Sequence, residues 1–176
     1  MKKFILLLVT ACALFSAPQA YFSPQDNLAD RLIELIQKEE KSIHVAIFIL
    51  SNRKIANELL AAKNRGVRVE LICDPGTYKE KSAVKSLKEK GVKVFLFDPE
   101  KGPAYKKHKP IMHNKFALFA KNQNGKPLLW TGSFNFSYQA TVRNKENAIV
   151  IDDLATIELF QKEYDEIKSR CCTAAK

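Results

Sequence analysis

Along the first hundred residues, apolar positions alternate between helical spacing and short unbroken runs. In Asn27 to Glu40, the side chains Leu28, Leu32, Leu35 and Ile36 fall on one helical face, and Ile43 to Leu50 follows as an almost unbroken apolar run of strand length. The pattern then recurs. Asn52 to Arg65 carries Ile55, Leu59 and Leu60 on one face, stops at Gly66, and passes into the strand-like Val67 to Cys73.

The next unit echoes this one: Arg65-Gly66-Val67-Arg68-Val69 through Asp74-Pro75 is repeated as Lys90-Gly91-Val92-Lys93-Val94 through Asp98-Pro99. Strands apolar on both faces and joined by helices of this length predict an α/β layered fold: a mixed, mainly parallel sheet with right-handed crossovers, flanked by helices.

The second half reads differently. Pro99 to Pro110 is a basic loop containing Lys101, Lys106, Lys107, His108 and Lys109, broken by Gly102, Pro103 and Pro110. It is either an ordinary solvated loop or a phosphate-attracting rim. Phe116 to Phe119 and Leu128 to Thr131 read as strands joined by a polar turn from Asn122 to Lys126, and Lys145 to Ile151 as another strand. A final helix, Asp153 to Arg170, places Leu154, Ile157, Phe160, Tyr164 and Ile167 on a buried stripe, leaving the last six residues loose.

Composition adds a compartment and a charge. Residues 1–20 have a basic start, an apolar stretch from Phe4 to Phe15 and a small-residue end, which reads as a signal peptide ahead of a single domain at 21–176. An uncleaved anchor is the plain alternative, and Val9-Thr10-Ala11-Cys12 resembles a lipoprotein box, with Cys12 as the lipidated residue. Export to the periplasm or the medium is the expectation. Of 29 Lys and Arg residues only Lys2 and Lys3 lie in that leader, so 27 remain against 19 Asp and Glu, a surplus of eight. Such a surplus favours polyanions, nucleic acid or anionic head groups, although a solvated surface accounts for it too. Cys73, Cys171 and Cys172 match no common zinc spacing. One disulfide plus a free thiol, an intersubunit bridge and three reduced thiols all stay open.

The candidate chemistry is His113-Asn114-Lys115. Residues two apart in an extended segment point to one side, so an imidazole and an ammonium face one ligand. A neutral imidazole serves as nucleophile or proton carrier, and a lysine supplies positive charge to phosphate oxygens. The triplet is followed by Trp130-Thr131-Gly132-Ser133-Phe134-Asn135 and then Asn144-Lys145-Glu146-Asn147-Ala148.

Together these segments resemble the phospholipase D superfamily signature over about residues 112 to 150. Tyr21-Phe22-Ser23-Pro24, Ile47-Phe48 and the Arg65-Gly66-Val67 unit resemble the scaffold of its single-motif, endonuclease-like branch. The resemblance implies a metal-independent phosphodiesterase without cofactor. His113 would form a phosphohistidine, Lys115 and Asn135 would hold phosphate oxygens with Ser133 supporting the pocket, and Glu146 would orient the imidazole, usually across a subunit interface. Lys106, Lys107 and Lys109 would form the basic rim.

The family aspartate five residues after the lysine is replaced here by Ala120, with Asn122 or Asn124 as local substitutes. Cleavage through a phosphohistidine also needs a second histidine to serve the leaving oxygen. His44 lies in the apolar run and reads as a core residue, and His108 lacks the x-Lys spacing, so the resemblance implies a homodimer with a shared site. Three readings of function follow: a low-specificity endonuclease on DNA or RNA, a phospholipase D acting on phospholipid head groups, and a weakly active nucleic-acid or membrane-surface binding protein.

Overall fold

The computed structural model describes residues 18–98, 100 and 109–172. Residues 1–17, which hold most of the expected signal peptide and Cys12, lie outside them, as do Lys106, Lys107 and His108. The described strands are β1 (Gln19–Phe22), β2 (Ser42–Ile47), β3 (Arg68–Cys73), β4 (Lys93–Phe97), β5 (Lys115–Phe119), β6 (Leu128–Gly132), β7 (Asn147–Ile151) and β8 (Cys171–Cys172). The helices are α1 (Leu28–Lys38), α2 (Arg53–Asn64), α3 (Ala83–Glu89), α4 (Tyr138–Val142) and α5 (Leu154–Ser169). All described strands join one sheet in the order β1-β7-β6-β5-β2-β3-β4-β8.

The layered α/β architecture is as the periodicity indicates, and the sheet is mixed. Its parallel part is smaller than expected: only β2 with β3 and β3 with β4 run parallel, and every other described pair is antiparallel. Connection geometry accounts for the consecutive pairs. The helices α2 and α3 carry the chain back along the sheet, as a parallel crossover requires. The turn from β5 to β6 is too short for that. Between β6 and β7, the five-residue α4 advances only about 7.5 Å at 1.5 Å per residue, less than the length of a strand.

Strand alternation divides two cores. Val45, Ile47, Val69, Leu71, Ala117 and Phe119 face the layer of α1, α2 and α3. Ala46, Ile72, Phe116, Leu118 and Leu129 face α5 through Tyr164 and Ile167. Burial on both faces is why these strands read as continuous apolar runs. The α5 stripe packs only from Ile157 onward: Leu154, expected inside, sits in the helix's first turn and is 58% exposed. The tail is not loose at its start either, because Cys171 and Cys172 pair with Phe97 and Leu96. An open edge of β4 offers unpaired backbone groups, and the chain leaving α5 meets them.

One polar cluster ties α5 to the sheet. Buried Glu70, opposite His44 on β2 and Lys93 on β4, accepts from Lys168 Nζ at 2.5 Å and Lys93 Nζ at 3.4 Å. His44 stacks on Tyr164 at 4.9 Å with its Nδ1 3.1 Å from Gln161 Oε1, so it is the packing residue expected. Burial raises the Glu70 pKa, but the Lys168 bond and the charges of Lys168, His44 and Lys93 outweigh it, and the net shift is downward from 4.5. A carboxylate held below its unfolded pKa adds stability that is complete above the unfolded value and fades as pH falls through the folded one. Glu70→Gln is therefore expected to cost about 1 to 2 kcal/mol at pH 7, since both lysines are partly exposed and can resolvate. Urea melts of variant and wild type should converge below pH 4.5; a gap that persists in acid would contradict this account.

Candidate active site

The end of β2, the start of β5, the end of β6 and the start of β7 lie at one end of the sheet, because Ile47 pairs with Lys115 and Gly132 with Ala148. The apolar run expected to continue through Leu50 leaves the sheet after Ile47. Phe48, Ile49 and Leu50 instead form a loop over this end. Phe48 N donates to Asn114 O at 2.9 Å, and Ser51 N and Asn52 N both donate to Phe136 O.

His113 and Lys115 share one side, as two-residue spacing requires. The Lys115 ammonium lies 3.1 Å from His113 Nδ1 and donates to the His113 carbonyl at 2.5 Å. An ammonium can only donate, so Nδ1 accepts at this contact and the proton of the neutral ring sits on Nε2. His113 is exposed and Lys115 buried. Burial lowers the Lys115 pKa, with the Glu146 charge opposing in part. Phe48 covers both: its ring is 4.5 Å from the imidazole and 5.2 Å from Lys115 Nζ.

Asn135, held in the loop after β6, accepts from Ile49 N through Oδ1 at 3.3 Å. That bond fixes the amide by its oxygen and leaves Nδ2 as the end that can donate to an anion. Ser133 Oγ donates to Glu146 Oε2 and accepts from Asn147 N at 3.0 Å. Its hydroxyl proton is thus committed to Glu146. The other Glu146 oxygen accepts from Asn144 Nδ2 at 2.9 Å. Glu146 acts on Lys115 through its charge, and no hydrogen bond joins it to His113 of the same chain among the described residues. Gly132 permits this arrangement sterically, because a Cβ there would lie 2.3 Å from Asn147 O.

Two supports escape the motif. Buried Ser23, within the Tyr21 to Pro24 segment, donates to Asn144 O at 2.8 Å and accepts from Glu146 N at 2.9 Å, holding the acid's loop. In the sequence Phe48 reads as part of an apolar run and of the resembling scaffold, with no role at the site. The basic rim contributes less that can be described: Lys109 is exposed and paired with Glu100 at 2.7 Å. At the opposite end of β5, where Ala120 stands, buried Glu39 accepts from Lys41 N, Ser42 N and Lys121 N, each at 2.9 Å. Asn122 joins it, donating to Leu35 O at 2.7 Å and to Glu39 at 3.3 Å. Of the two local substitutes weighed for the missing aspartate, Asn122 is the one built into the brace. Asn124 is exposed in the turn.

Five large apolar side chains on segments that lead into or out of this end, Phe22, Ile49, Ile111, Tyr138 and Val142, are each at least 37% exposed. Among the described residues, no group of three or more His, Cys, Asp or Glu converges as a metal site would.

Residues 32–168 match the family described as cardiolipin synthase, PLD-like domain. The chain is 31% identical over 143 residues to a mitochondrial cardiolipin hydrolase of Xenopus tropicalis, covering 81% of this chain and 61% of that protein. It is 30% identical over 144 residues to a phospholipase D of Rickettsia prowazekii, covering 81% and 63%. The chain therefore spans about three fifths of the length of these relatives. Among solved structures, NucT from Helicobacter pylori superposes with a TM-score of 0.79 at 25% identity, covering 91% of this chain and 99% of that one. Nuc, a phospholipase D family member from Salmonella typhimurium, gives 0.75 at 22% with the same coverages, a likeness of fold.

Proposed function

This chain belongs to the phospholipase D-like domain family, and on that footing we propose that it hydrolyses phosphodiester bonds through a phosphohistidine on His113, with nucleic acid as the leading substrate. The observation that carries the reading is the pairing of His113 with Lys115, beside Asn135 and the Ser133–Glu146 unit, at one sheet end. His113 Nε2 attacks phosphorus while Lys115 and Asn135 hold the non-bridging oxygens. The leaving oxygen takes a proton from a second imidazole, which then removes one from the attacking water. The resting contact leaves the ring proton on Nε2, so attack requires the other tautomer. An incoming phosphate competes for the Lys115 ammonium, and a carboxylate at Nδ1 then fixes the proton there.

The second imidazole comes from a second copy in this reading, as the partner's His113, with the partner's Glu146 as the orienting carboxylate. Two features support a two-fold dimer at this end: the described chain offers one histidine to the site, and exposed apolar residues lie on the segments that lead into or out of it. The surplus of positive charge suits a polyanion. These apolar residues, together with relatives named phospholipase D and cardiolipin hydrolase, favour phospholipid as the second reading. Export, to the periplasm or the medium, belongs to the same proposal and rests on the signal-like composition of residues 1–20; because Gln19 and Ala20 pair with Val150 and Ile149 in β1, a cut ahead of Gln19 is the one that keeps the strand whole.

The test is purified protein incubated in EDTA with single-stranded DNA, duplex DNA, RNA, and vesicles of phosphatidylcholine or cardiolipin. Nucleic-acid cleavage in the chelator supports the leading reading and head-group release the second; no turnover of any substrate, or loss of turnover in EDTA, overturns the proposal. A pH profile adds a check. Because burial lowers the Lys115 pKa against the pull of Glu146, the alkaline limb of kcat/KM should begin below the 10.5 of a free lysine. Glu146→Gln should move that limb lower still, and a limb that stays put would exclude Lys115 as its source.

A further inference from the structure

The repeated Asp-Pro units at the ends of β3 and β4 have no part in the chemistry above, yet one of them reaches the reactive segment. Asp74 and Asp98 both cap the turn that follows them: Asp74 Oδ1 accepts from Gly76 N at 2.9 Å, and Asp98 Oδ1 from Glu100 N at 3.0 Å. The second oxygen of Asp74 does something further. Asp74 Oδ2 accepts from Met112 N at 3.2 Å, and Met112, 3% exposed, is the residue before His113. The turn continues into Thr77, whose Oγ1 accepts from Leu50 N at 3.3 Å and donates to Leu50 O at 3.4 Å. Leu50 belongs to the loop that lays Phe48 over His113 and Lys115. One turn thus holds both the segment bearing the imidazole and the loop covering it.

We propose that Asp74 is a positioning residue for His113, with its two carboxylate oxygens and Thr77 fixing the 112–115 segment and the Phe48 loop relative to each other. A buried carboxylate that accepts from two backbone N–H groups cannot be replaced by an amide of the same shape. Asparagine has one acceptor oxygen, and its NH2 would face a second N–H. His113 is exposed at a strand entrance, so it lacks the packing that holds a core residue in place, and a nucleophile displaced by about 1 Å can lose on the order of a hundredfold in rate. This inference rests on the phosphohistidine reading for its kinetic arm and not for its structural one.

The experiment compares Asp74→Asn and Thr77→Val with wild type, using bis(p-nitrophenyl) phosphate for kinetics and imidazole NMR signals assigned with His113→Ala and His44→Ala. Asp74→Asn is expected to lower kcat about ten- to a hundredfold with KM within about twofold, and to shift or broaden the His113 signals while those of His44 stay fixed. Thr77→Val, which leaves the carboxylate intact, should do the same more weakly, and it decides the matter if Asp74→Asn does not fold. Unmoved His113 signals in folded variants, or movement of His44 to the same degree, overturns the proposal. If wild type shows no turnover, the phosphodiesterase reading fails, while the NMR comparison still decides whether Asp74 holds His113.

Discussion

His113→Ala is expected to lower phosphodiester cleavage by about four orders of magnitude or more, with little loss of fold stability. The size follows from the covalent step: without the imidazole no intermediate forms, and no neighbouring described side chain can replace it. His44 lies on the α5 side, stacked on Tyr164. Lys115 is an ammonium tucked beneath Phe48 and lacks a free electron pair at neutral pH. Stability should change little because the ring is exposed and its contacts are Phe48 and the Lys115 ammonium. Measured on whichever substrate wild type cleaves, with thermal melts alongside, equal rates for wild type and variant would remove His113 from the mechanism.

The second large effect is expected in mixed dimers. If each turnover uses one His113 as nucleophile and the partner's His113 as acid, a hybrid of wild type and His113→Ala has half of the machinery and no complete site. Co-expressing the two chains equally, with a tag on one to quantify the species, should leave about a quarter of the activity of an all-wild-type pool, because only a quarter of random dimers carry two imidazoles. Independent sites would leave about half. The outcome near one half, or a monomer at working concentration by analytical ultracentrifugation, would sink the shared-site reading and return the question of the second acid to the chain itself. His108 would then be the place to look.

Both expectations depend on placement that the motif spacing conveyed only in part. Two-residue spacing in an extended segment put His113 and Lys115 on one side, and the structure has them in contact. Nothing local indicated that the same ammonium would occupy Nδ1, or that Ser133 would spend its proton on Glu146. Asp74 read as the end of a repeated strand unit. Its second oxygen meets Met112 because β5 enters the sheet beside β2 while β3 lies on β2's other side. Such neighbours are separated by 38 positions in the chain, and local patterning carries no information about them. The Ala120 departure likewise looked like a missing support until the far end of β5 proved to be braced by Glu39, which comes from the end of α1.

The chain by itself determined the helices and buried strands of its first half, and marked the candidate triplet and the later serine, asparagine and glutamate, because helical and extended periods, caps and short motifs are local properties. Tertiary structure alone decided that β5, β6 and β7 run antiparallel, that Cys171 and Cys172 close the β4 edge, that Leu154 stays outside, and that Phe48, Ser23 and Asp74 hold the His113 end of the sheet. Strand order and direction follow from how far each connection reaches and which open edge it meets. Those are properties of the assembled sheet, where groups distant along the chain first come within hydrogen-bonding range.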